Sequence, residues 1–173
     1  MLVVRDWKSV NIIGIDPGLV KTGWGVISQN NNVIKYVDCG VIKTNSKCTL
    51  EQRLIKIFDT VHEIIERFQP ASVAMEEVFV NMNPKTSEKL IMARTTAFVA
   101  IAKSGLLVHE YRPNAVKKNI TGAGHASKEL VYTMVKKILG ITIKTVETRS
   151  LDAMDALAVA LCQAFSQVGG GNY

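Results

Sequence analysis

The sequence predicts an α/β domain: a mixed five-stranded sheet with helices on both faces. Three observations carry that expectation. Residues 9–44 hold three strand-like segments in succession, separated by short polar turns and without helical periodicity. Two further short apolar runs, "ASVAM" and "LLV", each follow a long segment with apolar residues three or four apart. Strands joined by short turns pair antiparallel, whereas strands reached through helices return parallel, so the first three are expected antiparallel and the last two parallel. The 173 residues are 47% hydrophobic but only 6% aromatic, which suits one domain with an aliphatic core.

Taken in order, "SVNIIGID" is β-branched and apolar, as a central strand should be. "KTGWGVISQNNNVIKYVDCGVIKT" alternates about a polar centre and reads as a hairpin, and Gly23-x-Gly25 marks a strand that another backbone approaches closely. "TLEQRLIKIFDTVHEIIERFQP" spaces Leu50, Leu54, Ile57, Val61, Ile64 and Phe68 as an amphipathic helix that Pro70 stops. "ASVAMEEVFV" is a short strand running into acid. "PKTSEKLIMARTTAFVAIAKSG" opens on proline and closes on glycine, as helices prefer, and its small middle residues suit close helix packing. After the strand "LLVHEY" comes "RPNAVKKNITGAGHASKELVYTMVKKILG", a brief helix, a Gly-rich turn and a second helix. "RSLDAMDALAVALCQAF" ends the order as a helix with an apolar seam of Leu151, Met154, Ala158 and Leu161. We expect one domain over 1–173, with 1–9 as an N-terminal extension and 167–173 as a flexible tail.

Composition excludes several classes. Cys39, Cys48 and Cys162 are odd in number and lack C-x-x-C spacing, so they read as reduced thiols rather than a zinc site or a disulfide framework. "MLVVRDWKSV" is too short and too broken by charge for a signal peptide, and "TTAFVAIAKSGLLV" too short to span a bilayer. A cytoplasmic protein without membrane contact is expected. The net charge is +6 and unevenly placed: residues 80–150 carry 12 basic and 4 acidic side chains, whereas 1–79 carry nine of each. That concentration suits a phosphate-backbone footprint, or equally a set of solvated helix faces.

Four carboxylates stand out. Asp16 ends an apolar strand, and Glu76, with Glu77 beside it, ends another. A buried carboxylate needs a cation, a donor network or a proton. Since neighbouring strand residues face opposite ways, only one of Glu76 and Glu77 faces a given partner. Asp152 and Asp155 lie three apart and project from nearly one helix face. Taken singly, Asp16 before Pro17-Gly18 reads as a turn former, and Asp152 with Asp155 as a helix cap and capping box. Taken together they converge at one sheet edge, where they are tolerable only around divalent cations. Hard oxygen donors suit Mg²⁺ or Mn²⁺ rather than zinc. Two such ions about 4 Å apart activate a water and stabilise the leaving oxygen of a phosphodiester.

"GIDPG" followed by "TGWGV", then "VAMEEVF" with Asn83 beyond it, and finally "DAMDALAVA" resemble the RuvC family of Holliday-junction resolvases, from about Asn11 to about Phe165. The resemblance implies a ribonuclease-H-like fold and a homodimer with two Mg²⁺ ions per subunit, for which Mn²⁺ substitutes. It implies paired symmetric nicks in four-way DNA junctions during recombination and repair, and a branch-migration motor as a partner complex. It assigns Asp16, Glu76, Asp152 and Asp155 as catalytic and metal-binding, leaving Glu77 a solvent or supporting role. It puts Phe79, Asn83, Lys117 and Lys128 on the DNA, Phe79 by stacking on bases unless it is a plain strand-end side chain. The helix corresponding to Lys85–Lys103 is implied in the dimer contact. His125 in the Gly-rich turn reads as a solvated loop residue, or as a phosphate contact.

Three rivals remain on the sequence alone. "GIDPGLVKTGWGV" also resembles the first phosphate loop of actin and Hsp70-type ATPases, which need two such lobes. An RNA-processing nuclease of the same fold begins with a similar strand. A non-catalytic junction binder is the third, but four acids gain nothing in binding a polyanion.

Overall fold

The computed structural model describes residues 9–78, 84–142 and 151–168. Its elements are β1 (Val10–Asp16), β2 (Lys21–Asn30), β3 (Val33–Lys43), α1 (Leu50–Phe68), β4 (Ser72–Glu76), α2 (Pro84–Lys103), β5 (Val108–Tyr111), α3 (Pro113–Thr121), α4 (Lys128–Leu139) and α5 (Leu151–Val168). The sheet runs β3-β2-β1-β4-β5. β1 pairs antiparallel with β2, and β2 with β3, whereas β1–β4 and β4–β5 are parallel. The expected mixed architecture is therefore the observed one. Among the described residues no helix is long and apolar enough to cross a membrane.

Period-two alternation sorts the central strands between two cores. Ile13, Ile15, Val26, Val73 and Met75 face α1 and α2. Ile12, Ile27 and Ala74 face α4 and α5. α1 begins as the sequence suggests, with Thr49 and Gln52 exchanging side-chain and backbone bonds in a capping box, and it ends at Gln69 in a left-handed conformation (φ 43°).

α5 is the least conventional element. Rather than presenting one seam, it buries nearly its whole circumference from Ala153 to Ala164, while Leu151, expected in that seam, is 64% exposed. The sheet admits the helix because glycines leave room for its backbone. A Cβ on Gly14 would lie 2.0 Å from the Ala156 carbonyl oxygen, and one on Gly23 2.0 Å from that of Asp152. A Cβ on Gly25 would press on Leu157. The close approach expected at Gly23-x-Gly25 is thus that of α5.

In α2 the small residues Ala93, Ala97 and Ala100 are fully buried against the molecule's own core, and the outward face carries the larger Ile91, Phe98 and Val99. At the C-terminus, Gln167 and Val168 still belong to α5, so the expected tail starts later than residue 167.

Candidate functional site

Asp16 closes β1 and Glu76 closes β4. The parallel register matches Gly14 with Ala74 and Ile15 with Met75. One step further along both strands sets Asp16 beside Glu76, on the sheet face that α5 covers. The turn after Asp16 is held by Thr22, whose hydroxyl donates to the Gly18 carbonyl at 2.7 Å and accepts from the Gly18 amide at 3.3 Å. Glu77, facing the other way, pairs with Arg112 at 3.3 Å. The expectation that Glu76 rather than Glu77 joins Asp16 follows from strand alternation.

The first two turns of α5 bring Asp152 and Asp155 to the same edge. Asp152 lies within the helix rather than ahead of it, so the N-cap reading does not describe it. Carboxylates here are favoured by the positive end of the helix dipole. Asp16, Glu76 and Asp155 line a cavity of about 280 Å³ with Lys117 of α3 and Lys128 of α4. Asp152 is not part of that lining, but its charge bears on both Asp16 and Asp155.

Lys128 is the first residue of α4, after Ser127, whose side chain caps the helix by accepting from the Leu130 amide. A cation at that end opposes the helix dipole. Its compensation is Asp155, whose Oδ2 accepts from Lys128 Nζ at 3.2 Å. Asp155 raises the Lys128 pKa, while burial of Lys128 acts the other way.

Negative charge nonetheless exceeds what the lysines offset. Burial, then the charges of Glu76, Asp155 and Asp152, push Asp16 up to about 8 against the counter-pull of Lys128. Burial and then Asp155 raise Glu76, with a hydrogen bond to Asp16 and the two lysines opposing. Asp155 is also raised by burial, with Lys128 opposing. A cluster of oxygen donors left short of positive charge fits a hard divalent cation such as Mg²⁺ or Mn²⁺. Among the described residues no three acids, histidines or cysteines are gathered as a finished ligand shell. Lys128 holds Asp155 instead, and Lys21 Nζ stands 3.8 Å from Asp152 Oδ2. A bound cation would take these oxygens over from the lysines.

Of the residues expected on nucleic acid, Lys117 and Lys128 are at the cavity. Phe79 and Asn83 lie outside the described residues. His125 is exposed in the turn between α3 and α4. Two neighbours escaped sequence reasoning. Lys21, the first residue of β2, had no cue beyond its charge. Tyr132 lies four residues after Lys128, and helical spacing would have put both on one face. Burial and the charge of Asp155 raise its hydroxyl's pKa, so the group remains a donor.

The family model described as "Crossover junction endodeoxyribonuclease RuvC" matches residues 12–163. A relative of that description from Ehrlichia canis (strain Jake) is 47% identical over 158 residues, covering 91% of this chain and 98% of the relative. Another from Bartonella quintana (strain Toulouse) is 40% identical, covering 96% of each. Among solved structures, Thermus thermophilus RuvC in complex with Holliday junction substrate superimposes with a TM-score of 0.86 at 34% identity. That match covers 93% of this chain and 96% of the other. The yeast mitochondrial Holliday junction resolvase, at 15% identity and a TM-score of 0.65, shares the fold.

Proposed function

The chain belongs to the RuvC family of crossover junction endodeoxyribonucleases, and from that premise we propose that it resolves four-way DNA junctions by paired symmetric nicks in recombination and repair. The observation that carries the reading is the cavity at the sheet edge, where Asp16, Glu76 and Asp155 meet Lys117 and Lys128. Acids to hold cations beside lysines to hold a phosphate are the two halves of a phosphodiester-cleaving site. The RNA-nuclease, ATPase and non-catalytic readings leave one half or the family unexplained.

Asp16, Glu76, Asp152 and Asp155 are the residues that would hold two Mg²⁺ ions, with Mn²⁺ as a substitute. When bound, these ions supply Lewis-acid charge for the attacking water and the leaving oxygen. The chain's own part is positional. The rigid ends of β1 and β4 fix Asp16 and Glu76, and α5 carries Asp152 and Asp155 into line with them. Lys128, once released from Asp155, and Lys117 offset negative charge on the phosphate as it builds up in the transition state. Phe79 and Asn83 complete the DNA contact in this reading.

Symmetric nicking requires two sites, and we assign the dimer contact to the outward face of α2, where Ile91, Phe98 and Val99 are exposed. A branch-migration motor complex and the cytoplasm are the expected partner and compartment, and 1–173 the extent of the single nuclease domain.

The direct test compares a synthetic four-way junction with linear duplex of the same sequence, with and without Mg²⁺. Paired nicks at symmetric positions, confined to the junction and dependent on the cation, are expected. Equal cleavage of the duplex, or none of either in Mg²⁺, would defeat the reading.

A further inference from the structure

α4 offers Asp155 two donors, and in this structure only one is in use. Lys128 and Tyr132 are spaced four apart on that helix and share its inner side. Lys128 Nζ bonds Asp155 Oδ2 at 3.2 Å. The Tyr132 ring packs on the core beside α5, and its hydroxyl is buried within reach of the Asp155 carboxylate yet closes no hydrogen bond. A buried hydroxyl without a partner is costly, and native proteins leave few. This one faces a carboxylate whose present partner is a lysine, 65% exposed at its side chain.

We propose that Tyr132 is the reserve donor to Asp155: its hydroxyl takes hold of the carboxylate when Lys128 turns away to a DNA phosphate. It is a positioning residue, acting through Asp155 and touching no reacting atom. The proposal rests on the nuclease reading for its purpose. The donor exchange itself is a property of the free protein. Charge explains the order of use: the ammonium is the stronger partner for an anion while no phosphate competes, and a neutral donor suffices to keep the carboxylate aimed afterwards. Without the second donor, Asp155 would be buried and unheld at the moment its orientation matters.

The exchange makes the effect of the hydroxyl depend on whether Lys128 is present, and thermal unfolding of chelator-treated protein reads that without DNA or metal. With Lys128 in place, Tyr132→Phe removes an idle group, so Tm is unchanged or slightly higher. In the Lys128→Ala background the hydroxyl is already engaged, and the same change lowers Tm by about 3 °C, as loss of one charge-assisted bond does in a domain of this size. Equal shifts in the two backgrounds would overturn the proposal.

A second readout separates positioning from binding. With Lys128 present, Tyr132→Phe should slow single-turnover junction cleavage by about tenfold, the order expected when one donor that orients a catalytic group is lost, and leave junction Kd unchanged. An unchanged rate, or a loss confined to Kd, would also overturn it. If the wild-type chain cleaved no junction while the thermal cycle still showed dependence on Lys128, the donor exchange would stand and the nuclease reading would fall.

Discussion

Asp16 carries the largest electrostatic burden in the molecule, and its ionisation sets the pH behaviour of the cation-free protein. Its folded pKa, about 8, lies above the ordinary value of 3.8, so between those values the folded chain binds more protons than the unfolded one. Stability contributed by protonated Asp16 is therefore fully present below about pH 4 and lost as pH rises through 8. Asp16→Asn removes that loss. We expect the variant, in chelator at pH 8.5, to melt higher than wild type, and the difference to shrink toward pH 4 in a calorimetric series. Added Mg²⁺ should raise the wild-type Tm at pH 8.5 more than that of the variant, because binding to the folded state offsets the repulsion. The same substitution should reduce nicking at least about 1,000-fold while junction binding persists, since removing one anion from a DNA-facing site does not weaken its hold on phosphate. Full cleavage by the variant in Mg²⁺ would exclude Asp16 from the mechanism. The Lys21–Asp152 pair is a different case: at 3.8 Å and half-exposed, it contributes about 0–1 kcal/mol to stability, and its interest is its place at the site.

At the scale of elements, the site depends on how closely α5 lies on β1 and β2. That approach fixes Asp152 and Asp155 relative to Asp16, and it exists because Gly14 and Gly23 have no side chain. A methyl group on Gly23 would stand 2.0 Å from the Asp152 carbonyl oxygen, so the first turn of α5 must move or the strand must bend. Overpacking of this kind costs about 1–3 kcal/mol. Gly23→Ala should therefore lower stability by that amount or more in urea unfolding and also lose cleavage, because the displaced turn is the one that carries Asp152. Gly14→Ala meets Ala156 further along the helix and should cost stability similarly, with a smaller effect on cleavage per kcal/mol lost. If both variants lost activity only in proportion to stability, the helix would have no special positioning role at its first turn.

For the whole molecule, the distribution of charge and apolar surface suggests two working faces. The excess of basic residues in 80–150 does not form one footprint: Lys117 and Lys128 reach the cavity, whereas Arg94 pairs with Glu110 and Arg112 with Glu77. The apolar outward face of α2 lies on the helical layer across the sheet from α5. Phe98→Asp should convert a dimer to a monomer in sedimentation velocity, leave the fold intact by circular dichroism, and uncouple the two nicks so that singly nicked junctions accumulate. A variant that remained dimeric would place the contact elsewhere.

What the sequence by itself determined was the layer architecture and the identity of the chemical groups. Apolar period and turn chemistry are local, and they separated three antiparallel strands from two parallel ones. The acids were legible because a carboxylate at the end of an apolar strand conflicts with its surroundings, so Asp16 and Glu76 announced themselves. Only the tertiary structure decided how those groups meet. Leu151 looked like part of a seam, yet the glycine-lined sheet surrounds α5 and leaves that residue outside. The small residues of α2 looked like an external contact and instead face inward. Tyr132 and Lys21 were invisible because nothing in their neighbouring residues distinguishes them from surface positions. Their significance comes from carboxylates 20 or more residues away in sequence, brought close by packing that no local pattern encodes.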